Sequence, residues 1–214
     1  MPLAWDIVGY ISLVVLGIVP IVNPFSTAPT FIAMTSDATK SERRQVATLA
    51  CVYMALLLIV FLLLGTLILQ FFGITLKSLR FAGGLIIAYM GFRMLFPGDH
   101  PRTGRDNQPD TNPLSLAFMP LAMPMLAGPG SISVVLAMAT QVSQVEGTVE
   151  KVGGYLVVSA GIVISAVICW AVLWGSGAVV RFLGKNGIEA MTKLMGFLLV
   201  CIGVEFVLSG WAMS

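Results

Sequence analysis

Charge is what this sequence lacks most. The 214 residues include twelve Lys and Arg and ten Asp and Glu, so 10% are charged while 57% are hydrophobic. A water-soluble domain has about 25% charged residues. A chain this poor in charge cannot cover its surface in water, so we expect lipid to surround most of it. The basic residues are scattered singly between apolar blocks, which excludes a basic face for nucleic acid.

Groups that perform catalysis or bind metals are also scarce. The one histidine, His100, lies in a polar stretch, and the three cysteines lie in apolar stretches without metal-ligand spacing. The sequence has no HExxH motif, no Walker motif and no pair of intramembrane aspartates. A serine protease inside the membrane needs a His or Lys beside its serine, and the apolar stretches offer neither in a suitable place. We therefore predict a protein that is not an enzyme and holds no metal or cofactor.

Six apolar stretches dominate what is present. A hydrocarbon core takes about 20 residues of helix to cross, and lipid tolerates only backbone whose hydrogen bonds are satisfied within the segment. The stretches therefore predict an all-α, polytopic membrane protein with six transmembrane helices. They cover residues 7–35, 46–72, 81–96, 113–142, 152–180 and 190–213.

The basic residues between these stretches predict the orientation. Nine of them fall on one side of the predicted bundle and three on the other, and the richer side is expected to be cytoplasmic. Both termini are then predicted to face the periplasm or the cell exterior, in a multi-pass protein of the inner (plasma) membrane. The richer side carries Lys40, Arg43, Arg44, Arg93, Arg102, Arg105, Arg181, Lys185 and Lys193, and the other carries Lys77, Arg80 and Lys151.

The chain divides into two similar halves. Pro20, Pro24 and Pro29 recur 100 residues later as Pro120, Pro124 and Pro129, and RFAGGLII at 80–87 is echoed by KLMGFLLV at 193–200. These patterns predict a first repeat over 1–96, a polar cytoplasmic linker over 97–112 and a second repeat over 113–214. Three crossings is an odd number, so the second half is inverted, as is usual in secondary transporters. An ancient duplication with a purely structural outcome is the alternative.

The prolines predict a broken first helix in each half. Each removes a backbone donor, and broken backbone survives in a membrane only against protein or a water-filled cavity. Pro29 and Pro129 suit the first position of a restarted helix, whose free N–H groups attract anions. Prolines that simply kink the helices for packing are the alternative. The predicted substrate-binding residues are Asn23, Pro24, Ser26, Thr27, Thr30, Pro124, Gly128, Pro129, Gly130 and Ser131, and Glu205 is a candidate for proton coupling, or else reaches the interface.

The motifs together resemble the MarC family. The resemblance rests on the NP…AP break at 23–29, PLAMPMLAGPGSI at 120–132, RFAGG at 80–84, GFRMLFP at 91–97 and GIEAMTKLMGFLLV at 187–200. It implies a six-helix inner-membrane protein of the wider LysE-type transporter superfamily, with glycine and alanine as expected substrates.

Three functions are therefore compatible with the sequence. The first is gradient-driven transport of small neutral amino acids, by rocking of the inverted halves around a site at the middle of the membrane. The second is export of drugs or other apolar solutes, and the third is a non-transporting membrane scaffold. The expected partners are the amino acid and the lipid bilayer, and the sequence leaves room for a homo-oligomer.

Overall fold

Helices make up the fold. The computed structural model describes residues 3–96 and 116–212, so the predicted linker over 97–112 lies outside the described residues. No strand occurs within those two ranges, which confirms the all-α prediction. The elements are α1 (Leu3–Val22), α2 (Pro24–Met34), α3 (Lys40–Phe71), α4 (Leu76–Leu95), a π-helical segment (Phe118–Leu126), α5 (Pro129–Ser143), α6 (Thr148–Trp174) and α7 (Ser176–Ala212).

At least three helices are long and apolar enough to cross a membrane. They are α3, α6 and the Asn186–Ala212 part of α7. Helices α1 and α2 form a fourth candidate as a pair bent by 44° at Asn23. A second bend lies at Gly184 in α7, where a φ of 63° interrupts the helix. The chain therefore has the multi-pass character that its hydropathy predicts.

The long helix α3 begins where its sequence predicts a start. Thr39 caps the helix by accepting a hydrogen bond from the Glu42 N–H (3.3 Å), and the Glu42 carboxylate accepts one from the Thr39 N–H (2.8 Å). This reciprocal capping box satisfies two donors that the helix itself cannot pair. The four residues Lys40–Arg43 then precede the buried apolar face that starts at Val46, so the charged end of α3 lies just beyond its apolar part.

Helices α4 and α7 pack together through glycines. A Cβ atom added at Gly84 would lie 2.6 Å from the Gly203 carbonyl oxygen, and one added at Gly196 would lie 2.8 Å from the Gly91 carbonyl oxygen. Real Cβ atoms do not approach backbone this closely, so only glycine allows these contacts. The glycines recur every seven residues along each helix, which keeps them on one face of an antiparallel pair.

The two halves of the chain interleave. Helix α4 packs mainly on α7, whereas α3 packs on α6 and α5, and α1 packs on α6. Helices α1 and α2 of the first half both contact α6 of the second half. In the same way, the π segment and α5 of the second half both contact α3 of the first half. Over the described residues, α1, α3 and α4 hardly touch one another. This packing argues against halves that rock as two rigid bodies, because such a motion would disrupt nearly every helix contact.

Candidate functional site

The first break lies at Asn23, between α1 and α2. Asn23 has the left-handed conformation (φ 44°, ψ 68°) and is the only non-glycine residue with positive φ in the described chain. Its Oδ1 accepts a hydrogen bond from the Ser26 N–H (3.3 Å), and its Nδ2 donates to the Ser26 hydroxyl (2.9 Å). Asparagine tolerates this conformation better than most residues because its short amide can bond locally. The residue is 5% exposed, so the break is buried.

The predicted restart at Pro29 is wrong. Helix α2 restarts at Pro24, directly after the Asn23 cap, and Pro29 lies inside it. The left-handed turn and the side-chain cap already complete a helix start at Asn23, so the chain needs no second one five residues later. Pro29 has no N–H with which to bond the Phe25 carbonyl, four residues earlier. The break therefore leaves a carbonyl group without its usual helical donor.

The second break lies between the π segment and α5. Gly128 precedes α5, and Pro129 occupies the first helical position as predicted. No side chain caps this helix start, so the N–H groups of Gly130 and Ser131 lack the kind of partner that Asn23 supplies in the first half. Gly128, Gly130 and Ser131 are all buried. Pro129 itself is exposed, so this uncapped helix N-terminus reaches the surface at the proline while Gly130 and Ser131 are buried.

Helix α4 brings the two breaks together. A Cβ atom at Gly130 would lie 3.1 Å from Ile21 and 3.5 Å from the Met90 sulfur. One turn further along α4, the Met94 sulfur lies 3.6 Å from Asn23 Nδ2. A Cβ atom at Gly130 would also lie 3.4 Å from Ile87, so residues 87–94 of α4 contact both breaks.

One polar partner at the first break has no signal in the sequence. The Ser26 hydroxyl lies 2.9 Å from the Thr192 hydroxyl of α7. The two residues are 166 positions apart, and Thr192 lies directly before the KLMGFLLV string at 193–200. A lone threonine in an apolar helix carries no local signal of such a contact.

The remaining predicted residues have different surroundings. Thr27 is buried and its hydroxyl donates to the Asn23 carbonyl (3.2 Å), whereas Thr30 is exposed on α2. The Ser131 hydroxyl donates to the Leu126 carbonyl (3.0 Å). Pro24 is buried beside Asn23, and the side chain of Pro124 lies outside the described part of the structure. Glu205 is exposed on α7.

Apolar side chains fill the space beside the breaks. Ile21, Ile87, Val134 and Leu199, one each from α1, α4, α5 and α7, form a small buried cluster there. Two cavities lie elsewhere, along the start of α3 and the end of α6. In the described ranges no three His, Cys, Asp or Glu side chains come together as a metal site would need. Apolar side chains therefore pack directly against the breaks in this conformation.

The similarity of the chain to known proteins extends over almost its whole length. The pattern of the MarC family integral membrane proteins matches residues 8–214. The inner membrane proteins MarC of Escherichia coli and Shigella flexneri are each 38% identical over 213 residues, which cover 96% of this chain and 95% of theirs. Their names give a location and no substrate. No solved structure matches the chain.

Proposed function

Because the chain belongs to the MarC family of integral membrane proteins, we propose that it is an inner-membrane secondary transporter of small neutral amino acids such as glycine and alanine. The observation that carries this proposal is the buried, uncapped start of α5, next to the first break. A helix N-terminus without a side-chain cap binds a carboxylate through its N–H groups and its partial positive charge. An apolar bilayer protein gains little from such a feature unless a ligand uses it.

Each part of a small zwitterion has a matching group. The carboxylate would bind the N–H groups of Gly130 and Ser131. The ammonium would bind the Phe25 carbonyl, which lacks its helical donor, and the Asn23 Oδ1. The two sites belong to elements that meet at α4, and Ile21 and Ile87 pack closely around Gly130. This arrangement favours glycine and alanine over larger amino acids.

The arrangement of the spans forms part of the proposal. We infer six crossings: α1 with α2, α3 and α4 in the first half, and the π segment with α5, α6 and α7 in the second. Two observations support an inverted repeat. Helix α3 pairs with α6 and α4 pairs with α7. The first crossing contacts α6, and the fourth crossing contacts α3 in the same way. Both termini would then lie on the periplasmic side.

Movement would occur between two packed units. Helices α4 and α7 form one unit through their glycine contacts, and α1, α3, α5 and α6 share the large apolar core. The small cluster around Ile21 and Ile87 joins the two units beside the breaks. Because few apolar side chains hold this junction, separating the units there costs less than separating the halves of the chain. An ion gradient would drive the cycle, since the sequence has no ATP-binding motif.

A membrane scaffold without transport is the second candidate. The close packing of Ile21 against Gly130 favours it, because a scaffold needs no opening at its helix breaks. Export of large apolar drugs has less support, since neither of the cavities described lies at the breaks.

Transport by the purified protein in liposomes distinguishes these functions. We expect uptake or release of labelled glycine or alanine under an imposed proton or sodium gradient, above the level of empty vesicles. Gly130→Leu should abolish the flux, because the new side chain occupies the space beside Ile21 and blocks the N–H groups. Gly9→Leu is the matched control, since a Cβ at Gly9 meets nothing within 4 Å.

Three outcomes separate the candidates. The proposed site is supported if glycine or alanine flux is lost in Gly130→Leu and kept in Gly9→Leu. Absence of amino acid flux under every gradient, with correctly inserted protein, contradicts the proposal and favours the scaffold. Flux of apolar drugs without flux of amino acids favours the exporter.

A further inference from the structure

A basic cavity lies far from the helix breaks, at the charged end of α3. Its volume is about 690 Å³, and its walls come from the first residues of α3 and from the junction of α6 with α7. Three of the described residues that line it are basic and none is acidic. They are Lys40, Ser41, Arg43, Arg44, Trp174, Gly175, Ser176, Gly177 and Ala178.

The arginines of this cavity are held in position by neighbouring groups. The Arg44 guanidinium lies 4.8 Å from the centre of the Trp174 ring, and Trp174 stacks on Trp170 with ring centres 5.6 Å apart. The Trp170 indole N–H in turn donates to the Thr48 hydroxyl (3.0 Å). A cation held over an indole ring loses little freedom when an anion binds it.

Arg43 has an unused donor. One terminal nitrogen donates to the carbonyl of the buried Thr35 (2.9 Å), while its buried Nε has no hydrogen-bond partner in the structure. A buried donor of a charged group without a partner is costly. The nearest acidic side chain in sequence, Glu42, has its carboxylate engaged by Thr39. An anion in the cavity would be attracted by the positive charge of Arg43.

A second cavity continues from the first along the helices. Its volume is about 440 Å³, it shares Ser41 and Arg44 with the basic cavity, and its walls include Leu49 and Trp170. Leu49 lies beyond Val46, where the buried apolar face of α3 begins. A charged cavity thus opens into a more apolar one at the end of the apolar part of the bundle.

We propose that these joined cavities bind an anionic phospholipid. Lys40, Arg43 and Arg44 would bind the phosphate of the headgroup, and the first carbons of the acyl chains would lie over Trp170 and Leu49. A phosphate oxyanion is the chemistry that this set of donors recognises. Lipid is favoured over a free phosphate ion because the cavities lie where charged headgroups meet the hydrocarbon, a position at which basic pockets between helices bind lipid headgroups.

Native mass spectrometry of the full chain in detergent tests this. The probes are dioleoyl phosphatidylglycerol, dioleoyl phosphatidylcholine and inorganic phosphate. We expect retention of phosphatidylglycerol in preference to phosphatidylcholine, and retention about tenfold weaker in the double variant Lys40→Gln/Arg44→Gln. The matched control, Arg93→Gln/Arg181→Gln, removes two charges that do not line the cavities and should retain phosphatidylglycerol like the unaltered protein.

Each other outcome overturns the proposal. Equal retention of the two lipids, or equal loss in both double variants, means that any binding is non-specific. Saturable binding of inorganic phosphate that also displaces phosphatidylglycerol means that the cavity takes a free ion. Lys40 and Arg44 are exposed, so their replacement should not prevent folding, and circular dichroism of the variant checks this.

Discussion

At the scale of single residues, Asn23 has the largest number of roles at the candidate site. It adopts a left-handed backbone, caps α2 through Oδ1 and donates to Ser26 through Nδ2. Ser26 then reaches Thr192 on the other half of the chain. One side chain therefore fixes both the bend of the first span and its contact with α7.

Two substitutions of Asn23 separate the backbone role from the role of the amide. Asn23→Ala should destabilise the protein by about 1–2 kcal/mol, because it loses the cap and strains the left-handed turn. Asn23→Gly should cost a few tenths of a kcal/mol, since glycine adopts that turn freely and serves as a cap. Thermal unfolding in detergent measures the difference, with Ser12→Ala, an exposed hydroxyl on α1, as the control.

Flux through the same variants tests the binding role of the amide. If the Asn23 Oδ1 binds the ammonium of the substrate, Asn23→Gly should lose transport although it keeps its stability. Normal flux in Asn23→Gly would show that the residue only shapes the turn.

At the scale of elements, the α4–α7 pair is the closest helix contact in the described chain. The backbones approach because Gly84, Gly91, Gly196 and Gly203 have no side chain. In lipid such contact supplies the packing that the hydrophobic effect supplies in water. The glycines at these positions are therefore required by the fold.

Gly203→Leu should separate α4 from α7. A Cβ at this position would lie 2.6 Å from the Gly84 carbonyl oxygen, so the helices must move apart, and overpacking of this kind typically costs about 1–3 kcal/mol. We expect a lower unfolding temperature and a smaller yield of monodisperse protein in detergent. The same change at Gly9, where the space is open, should alter neither, and an unaffected Gly203→Leu protein would contradict the close packing.

At the scale of the whole molecule, the interleaved halves determine which motions are available. The α4–α7 unit includes one helix from each half, and so does the α3–α6 contact. The proposed opening at the helix breaks would therefore separate units that combine both halves. The proposed inverted repeat relates α3 to α6 and α4 to α7, each pair within one unit.

Disulfides introduced in a cysteine-free background test this motion. Gly83→Cys with Ser133→Cys would join α4 to α5, where a Gly83 Cβ would lie 2.7 Å from the Ser133 Cβ, so the helices must part by about 1 Å to reach the Cβ separation of a disulfide. Oxidation should stop the flux and reduction should restore it. Arg80→Cys with Gly210→Cys, at 3.3 Å, joins α4 to α7 within one unit and should leave the flux unchanged when oxidised. Equal effects of both disulfides would contradict movement between the two units.

The sequence alone determined the solvent and the class of the fold. Apolar runs separated by sparse charge require lipid, and lipid in turn requires helices, because unpaired backbone cannot persist there. The position of Pro129 at a helix start also followed from the sequence, since the missing N–H of proline suits that position wherever the rest of the chain lies.

Only the tertiary structure decided which residues meet. The restart at Pro24 depends on the left-handed turn of Asn23, and the proline spacing alone favoured Pro29. The contacts of Ser26 with Thr192 and of Gly130 with Ile21 join residues more than 100 positions apart. Periodicity within one segment reports which face is apolar, whereas the partner of that face depends on how all the helices pack together.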